Sequence, residues 1–319
     1  MSETGKKKVF IDGSEGTTGL RIFERFAGRD DIELLKISSE LRKDPAEIRK
    51  FINASDITFL CLPDAAAIEA VSMVENDNVV IIDTSTAHRT NPDWAYGFPE
   101  LSPAHRDKIR NGKRIAVPGC HASGFISLVY PLINGNIIPA DYPLSAFSLT
   151  GYSGGGKKMI AQYEAEERDK ELDSPREYAL SQKHKHLKEM KAITGLAREP
   201  IFSPIVADYY SGMLVSIGLY TDLLPAGTTP ETVHAFFTKY YEGEKFIRVM
   251  PFGAEAETGN FFGSNNVSGW DGLEIFVTGN EDRILVSSRF DNLGKGASGA
   301  AVQCMNIVLG CDEAKGLVL

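Results

Sequence analysis

The stretch that most limits how this chain can fold lies near its start. Lys8 to Asp12 is a short apolar strand pattern, Lys-Val-Phe-Ile-Asp. Gly13-Ser-Glu-Gly16-Thr-Thr-Gly19 follows at once, and then the helical spacing of Leu20, Ile22, Phe23 and Phe26. Strand, glycine turn and helix in that order are what a dinucleotide site needs. Glycines let the backbone approach a pyrophosphate, and the helix N-terminus offers it N–H groups. The spacing is G-x-x-G-x-x-G rather than the commoner G-x-G-x-x-G, and glycines also serve plain turns. The flanking strand and helix favour the ligand reading, with Gly13, Ser14, Gly16, Thr17 and Thr18 as candidate contacts.

A second strand pattern runs from Ile32 to Ile37 and ends in Ser38 and Ser39, with Arg42 and Lys43 behind. An NAD site usually places Asp or Glu there to hold the ribose hydroxyls. Serines followed by Arg suit a 2′-phosphate better, which points to NADP(H), with Ser38 and Arg42 as its contacts. For Arg42 a solvated helix start is the competing reading. Helical patterns at 46–52 and 64–75 alternate with strands at 56–62 and 79–83, and Asp64 is a candidate N-cap. The alternation predicts a Rossmann-type parallel sheet with helices on its faces. Ligands bind at the carboxyl edge of such a sheet. Thr84, Ser85 and Arg89 leave that edge and are candidates for cofactor or an anionic substrate; a surface ion pair is the alternative for Arg89.

Ile115 to Val117 is a further strand, broken by Pro118 and Gly119, and a helix-like apolar run spans Phe125 to Ile133. Cys120 therefore sits at a strand-to-helix turn, where N–H groups and the helix dipole favour a thiolate. Taken alone, a cysteine is more often a buried, inert hydrophobe. The flanking turn and helix start favour a nucleophile.

The pattern then changes. Strands are expected at 144–151, 202–209, 213–220, 246–250, 274–278 and 283–290, and helices at 162–172, 229–241 and 300–309. This half reads as an α+β domain with a mainly antiparallel sheet, a broad face for subunit pairing. Tyr152-Ser-Gly-Gly-Gly-Lys-Lys158 reads as a mobile loop, closing over a ligand or simply turning at the surface. In Lys183-His-Lys-His-Leu-Lys-Glu-Met190 the basic run suits a solvated helix face. His186 and Glu189, three apart, share one side of a helix, and a carboxylate beside an imidazole raises its basicity. His186 is thus the candidate acid/base, supported by Glu189. His184 is the fallback, or a substrate contact. His121 reads as structural or as support for its neighbours, since adjacent helical side chains diverge. His88, His105 and His234 have no arguable partner. The glycines of Asp291-Asn-Leu-Gly-Lys-Gly-Ala-Ser-Gly299 suit either a helix cap or close approach to a cofactor, with Asn292 bonding an amide. Cys304 and Cys311, seven apart, would share one buried face of a continuous helix.

A net charge of −9 argues against a general nucleic-acid binder. No run is long and apolar enough to span a bilayer, and the Met-Ser-Glu-Thr-Gly-Lys-Lys-Lys start lacks an apolar signal segment. Four cysteines without a C-x-x-C pair give neither a metal-site nor a disulfide pattern. A cytoplasmic location without a metal fits, and 319 residues suffice for two domains.

Five motifs occur in one order: Gly13-Ser-Glu-Gly-Thr-Thr-Gly19, Tyr96-Gly-Phe-Pro-Glu100, Val117-Pro-Gly-Cys-His-Ala-Ser-Gly124, His184-Lys-His-Leu-Lys-Glu189 and Asp291-Asn-Leu-Gly-Lys-Gly-Ala297. Together they resemble the shorter form of the N-acetyl-gamma-glutamyl-phosphate reductases of arginine biosynthesis, from Lys8 to about Leu309. Aspartate-semialdehyde and glyceraldehyde-phosphate dehydrogenases are wider relatives. The resemblance implies a dinucleotide-binding domain of residues 1–118 and 296–319, to which the last helix returns, and a catalytic and dimerisation domain of 119–295. It implies NADPH, an acyl phosphate substrate, release of inorganic phosphate, and a homo-oligomer, dimer or tetramer, paired through the second sheet. Cys120 would be the nucleophile and His186 the acid/base. Asn292 would contact the nicotinamide carboxamide, and Ser153 and Gly154 would border its ring. Arg89 and Lys157 are candidates for phosphate or carboxylate contacts. Longer members carry Tyr-Pro-Thr where this chain has His121-Ala-Ser123, which leaves the pocket lining open. Two alternatives stand: a reductase of another acyl phosphate such as aspartyl phosphate, and a non-catalytic dinucleotide sensor.

Overall fold

The computed structural model describes residues 5–319, so the reading of the first four residues lies outside the described residues. The chain divides into two compact units: residues up to Pro118 with Ala297–Leu317, and Gly119–Gly296 with Val318–Leu319.

The first unit runs β1 (Lys7–Asp12), α1 (Thr17–Arg25), β2 (Ile32–Leu35), α2 (Pro45–Ala54), β3 (Ile57–Leu60), α3 (Asp64–Ser72), β4 (Val80–Asp83), β5 (Ala95–Tyr96), α4 (Pro103–Asn111) and β6 (Arg114–Ala116). Its six strands are parallel, in the order β2-β1-β3-β4-β6-β5. Side chains alternate across the strands, so the sheet feeds two cores. Val9, Ile11, Phe59, Ile82 and Ile115 pack with α1, α4 and a closing helix, Gly299–Leu309. Phe10, Leu60, Ile81 and Ala116 pack with α2 and α3. Local chemistry agrees: Asp44 caps α2 by accepting from Ala46 N and Glu47 N, with Pro45 in the first turn. The expected cap at Asp64 is corrected. Asp64 lies inside α3, and its carboxylate accepts from the amide and hydroxyl of Thr86.

The second unit holds α5 (Cys120–Asn134), β7 (Ser145–Gly151), α6 (Gly156–Tyr163), β8 (Arg176–Glu177), α7 (His186–Thr194), β9 (Ile201–Ala207), β10 (Met213–Tyr220), α8 (Pro230–Tyr240), β11 (Ile247–Val249), β12 (Leu273–Gly279) and β13 (Arg283–Phe290). The seven strands follow the order β11-β12-β13-β10-β7-β9-β8. Pairing is antiparallel except at β11–β12 and β7–β9. Register sends Val215, Ile217, Val286, Ser288 and Phe290 to one side, covered by α5 and α8. Phe147, Ile201 and Leu285 lie on the other, 61%, 64% and 44% exposed. This face of the sheet thus leaves apolar side chains open.

Gly124 fixes how closely α5 approaches the sheet. A Cβ there would lie 2.4 Å from Val215 Cγ2 and 2.9 Å from both Phe290 Cε1 and Ser288 Oγ. Gly124→Ala is therefore expected to destabilise the protein by about 1–3 kcal/mol, despite better helix propensity. Denaturant unfolding checks this; an unchanged midpoint would mean that the helix shifts without cost.

Three further expectations are corrected. The helix expected at 162–172 is instead α6 followed by a 3-10 turn at Lys170–Asp173. Arg168 is tied to Asp208 and Asp173, and Asp169 caps the short turn by accepting from Glu171 N, so tertiary ion pairs and a local cap displace the helix. The stretch expected as a mobile loop is ordered, with a 3-10 turn at Tyr152–Gly155 leading into α6. Cys311 also leaves the expected shared face: the closing helix ends at Gly310, whose φ is 67°, and Cys311 lies beyond it.

Candidate active site

In the first unit the glycine turn joins β1 to α1. Gly13 has φ +81°, and a Cβ there would sit 2.3 Å from Cys61 O at the end of β3. A Cβ on Gly19 would lie 2.4 Å from Gly13 O. Both positions need glycine, one for conformation and space, the other for space alone. Gly16 begins α1 without a side-chain cap, so first-turn amides face out from the helix start, a seat for pyrophosphate. Ser14, Thr17 and Thr18 are half-buried around it. Ser38 is exposed past β2, and Arg42 forms an ion pair with Glu15 of the glycine turn. These residues fit a dinucleotide, with Arg42 able to exchange the Glu15 carboxylate for a phosphate.

The loop after β4 is more committed than the sequence suggests. Asp83 is fully buried and accepts from Ser85 N at 2.8 Å and Ser85 Oγ at 2.7 Å. His88 Nδ1 lies 2.6 Å from the same carboxylate, and its ring stacks on Trp94 at 4.0 Å. Buried Arg89 donates to Val117 O at 2.8 Å and Thr84 O at 2.9 Å. Ser85 and Arg89 thus spend hydrogen bonds on the loop itself, and His88 has a partner that spacing could not reveal. The other two histidines left without a partner find neighbours too: His105 Nδ1 meets Ser102 Oγ at 2.8 Å, and His234 Nε2 meets Met250 O at 2.9 Å.

In the second unit Cys120 opens α5, half-buried, and Gly119 is the cap residue, with no side-chain cap bond. A sulfur in a helix first turn, next to water, is where a thiolate is favoured. Gly296 backs it: a Cβ at Gly296 would come within 3.1 Å of Cys120 Cβ. Glu189, buried on α7, accepts from Gly119 N at 2.9 Å. The Glu189 carboxylate thus also anchors the turn ahead of Cys120, a role that its spacing from His186 did not indicate.

Three imidazoles cluster here. His184 and His186 have ring centroids 4.7 Å apart, and His121 lies 5.5 and 5.6 Å from them. Burial lowers His121 to about 3, helped by His184. Burial also lowers His184 to about 4, with Lys185 adding to it. Both are neutral at pH 7. His184 Nδ1 accepts from His186 N at 3.1 Å, so the proton of neutral His184 resides on Nε2 and that nitrogen donates. This suits binding an oxygen better than removing a proton. His121 joins Ser148 Oγ and Tyr178 OH, each at 2.6 Å. Burial, and then negative charge at Cys120, push the Tyr178 phenol above its ordinary range. Neither Ser148 nor Tyr178 was found from the sequence, because no spacing rule links strand, turn and helix start.

Asn292 is buried, accepts from Gly212 N at 2.9 Å and donates to Ser153 Oγ at 3.0 Å. Gly154 lies beside it: a Cβ added there would stand 3.8 Å from Asn292 Nδ2. The amide retains donor and acceptor capacity for a ligand. Lys157 is exposed in the first turn of α6.

Comparison with known proteins agrees with this architecture. Residues 14–109 match the semialdehyde dehydrogenase NAD binding domain, and 120–292 match the semialdehyde dehydrogenase dimerisation domain. Aspartate semialdehyde dehydrogenase II of Vibrio cholerae, complexed with ASA, superposes with a TM-score of 0.70 at 14% identity, covering 96% of this chain and 99% of that one. The Candida albicans aspartate semialdehyde dehydrogenase with NADP gives 0.66 at 16% identity, covering 96% and 99%. N-acetyl-gamma-glutamyl-phosphate reductase 2 of Nostoc sp. is 45% identical over 320 residues, 98% of this chain and 99% of its own. The Rhizobium meliloti N-acetyl-gamma-glutamyl-phosphate reductase is 45% identical over 308 residues, 95% and 99%. The chain belongs to the semialdehyde dehydrogenase family and, within it, to the N-acetyl-gamma-glutamyl-phosphate reductases.

Proposed function

We propose that this protein reduces N-acetyl-gamma-glutamyl phosphate to N-acetylglutamate semialdehyde with NADPH, through a thioester on Cys120. The observation that carries the mechanism is a half-exposed cysteine in a helix first turn, in the same unit as three clustered imidazoles. The first unit is assigned as the dinucleotide-binding domain and the second as the catalytic and dimerisation domain.

The Cys120 thiolate attacks the acyl carbon; the bond from carbon to the phosphate oxygen breaks and inorganic phosphate leaves. Bound NADPH supplies the hydride that reduces the thioester carbon. His186 donates a proton to the oxygen of the resulting thiohemiacetal and recovers it on collapse, which frees the aldehyde and restores the thiolate. Amides at the start of α5 face the developing oxyanion. His184 Nε2–H and Lys157 are assigned to the substrate's anionic groups, with Ser85 and Arg89 retained as weaker assignments. Asn292, Ser153 and Gly154 are assigned to the nicotinamide, and Gly13, Ser14, Gly16, Thr17 and Thr18 to the pyrophosphate.

Phosphate-dependent NADPH formation from N-acetylglutamate semialdehyde and NADP, compared with aspartate semialdehyde, tests the substrate. Preference for the second would replace the reading with an aspartyl phosphate reductase. No turnover with either, together with a Cys120 inert to alkylation, would favour a dinucleotide sensor.

Arg42, assigned with Ser38 to the 2′-phosphate, gives a separate test. Arg42→Ala is expected to weaken NADPH binding about tenfold or more, with NADH affinity unchanged, in a fluorescence titration. Equal loss for both would remove Arg42 from that role. The exposed Phe147, Ile201 and Leu285 are assigned to a homo-oligomer contact through the second sheet. Phe147→Lys with Leu285→Lys is expected to lower the sedimentation mass to that of one chain; an unchanged mass would place the contact elsewhere. Among the described residues no helix is long and apolar enough to cross a membrane. Four cysteines without a disulfide pattern suit a reducing compartment, and the protein is assigned to the cytoplasm.

A further inference from the structure

The Ser148–His121–Tyr178 chain has a direction that burial determines. Ser148 lies on β7 and is fully buried, and its hydroxyl meets His121 Nδ1 at 2.6 Å. His121 is 3% exposed, and its Nε2 meets Tyr178 OH at 2.6 Å. Tyr178, just past β8, is only half-buried. A neutral imidazole donates from one nitrogen and accepts at the other. If His121 donated to Ser148, the serine hydrogen would need another acceptor in a dry interior, where an unmet donor is costly. If Ser148 donates to Nδ1, His121 carries its hydrogen on Nε2 and donates to the Tyr178 oxygen. The Tyr178 hydrogen then points away from His121, at the less buried end of the chain.

We infer that Ser148 and His121 are positioning residues: Ser148 fixes the Nε2–H form of His121, and His121 turns the Tyr178 hydroxyl into a donor aimed at the reacting oxygen on Cys120. This rests on the thioester reading above. The charge of Cys120 reaches Tyr178, and burial and that charge both keep its phenol protonated. The other titratable groups around the chain are His184 and His186, in ring contact with His121, then Lys185 between them and Glu189 on α7. The neighbouring His184 Nε2–H is assigned to the substrate's anionic groups, so the donor this chain adds at the developing oxygen is the Tyr178 hydroxyl. The arrangement also gives His121 a use that its place directly after Cys120 does not suggest.

The test separates this inference from the reaction it rests on. Nitrogen NMR of imidazole-labelled native protein at neutral pH, with the His121 signal assigned through His121→Gln, reads the tautomer without any turnover. Protonated Nε2 and bare Nδ1 are expected; the opposite pattern overturns the inference whatever the substrate proves to be. Kinetically, Ser148→Ala is expected to lower kcat about tenfold with KM little changed. In a Tyr178→Phe background, where no hydroxyl remains to be aimed, the same substitution is expected to cost nothing further. An equal loss in both backgrounds would make Ser148 a packing residue and overturn the inference. Failure of the thioester reading would show elsewhere, as turnover that survives loss of the Cys120 sulfur.

Discussion

Cys120→Ser is expected to lower turnover by about 10⁴-fold or more, while the variant folds and binds NADPH as the native protein does. A serine hydroxyl in the same helix first turn stays protonated at pH 7, whereas the thiol is within reach of ionisation there. Serine is close to cysteine in size and takes the same half-buried place, so the loss is not one of folding. Rapid mixing of native protein with acyl phosphate, without NADPH, should release up to one phosphate per active site as the thioester forms. The serine variant should release none. Near-native turnover in the variant would end the covalent mechanism.

His186→Asn has the second largest expected effect, a fall in kcat of about 10²–10⁴-fold with KM little changed. In the proposed mechanism it moves a proton, so its loss slows the chemistry more than it weakens binding. His184→Asn is expected to behave in the opposite sense, raising KM more than it lowers kcat, because its Nδ1 already accepts from a backbone amide and its Nε2–H serves as a donor. If the two variants exchanged these signatures, the acid/base assignment would move to His184. Steady-state kinetics with stopped-flow detection of the hydride step distinguish the outcomes.

The fold was legible where one element carries its own pattern. The runs Met213–Tyr220 and Arg283–Phe290 are strands with the bounds their composition suggested. The Gly13–Gly19 turn has the strand and helix that its spacing demanded. Legibility failed where tertiary contacts outweigh local preference. Glycines 154–156 suggest a loop, yet the chain turns at Gly156, with φ +71°, and begins α6 there. The charged run after Tyr163 looks helical, but Arg168 is claimed by Asp173 and Asp208.

The site shows the same division. The place of Cys120 could be read because the turn and helix that hold it are local in the sequence. The partners of His121 could not. Ser148 comes from the interior side of a strand and Tyr178 from the end of a two-residue strand, and only the sheet brings them to one ring. Arg89 and Ser85 show the converse: residue types that suit an anion, at a sheet edge that suits a ligand, whose donors the protein uses to shape its own loop.

The closing helix has a consequence for how the molecule is made. It supplies Ala300, Ala301, Val302, Cys304, Met305 and Ile307 to one side of the parallel sheet, although that sheet's strands all precede Pro118 in the chain. During synthesis those strands leave the ribosome long before the segment that shields them. The nascent chain must carry an apolar surface through the production of the whole middle region. The first unit thus reaches its final form late, and synthesis halted before the closing helix would leave a product prone to aggregate.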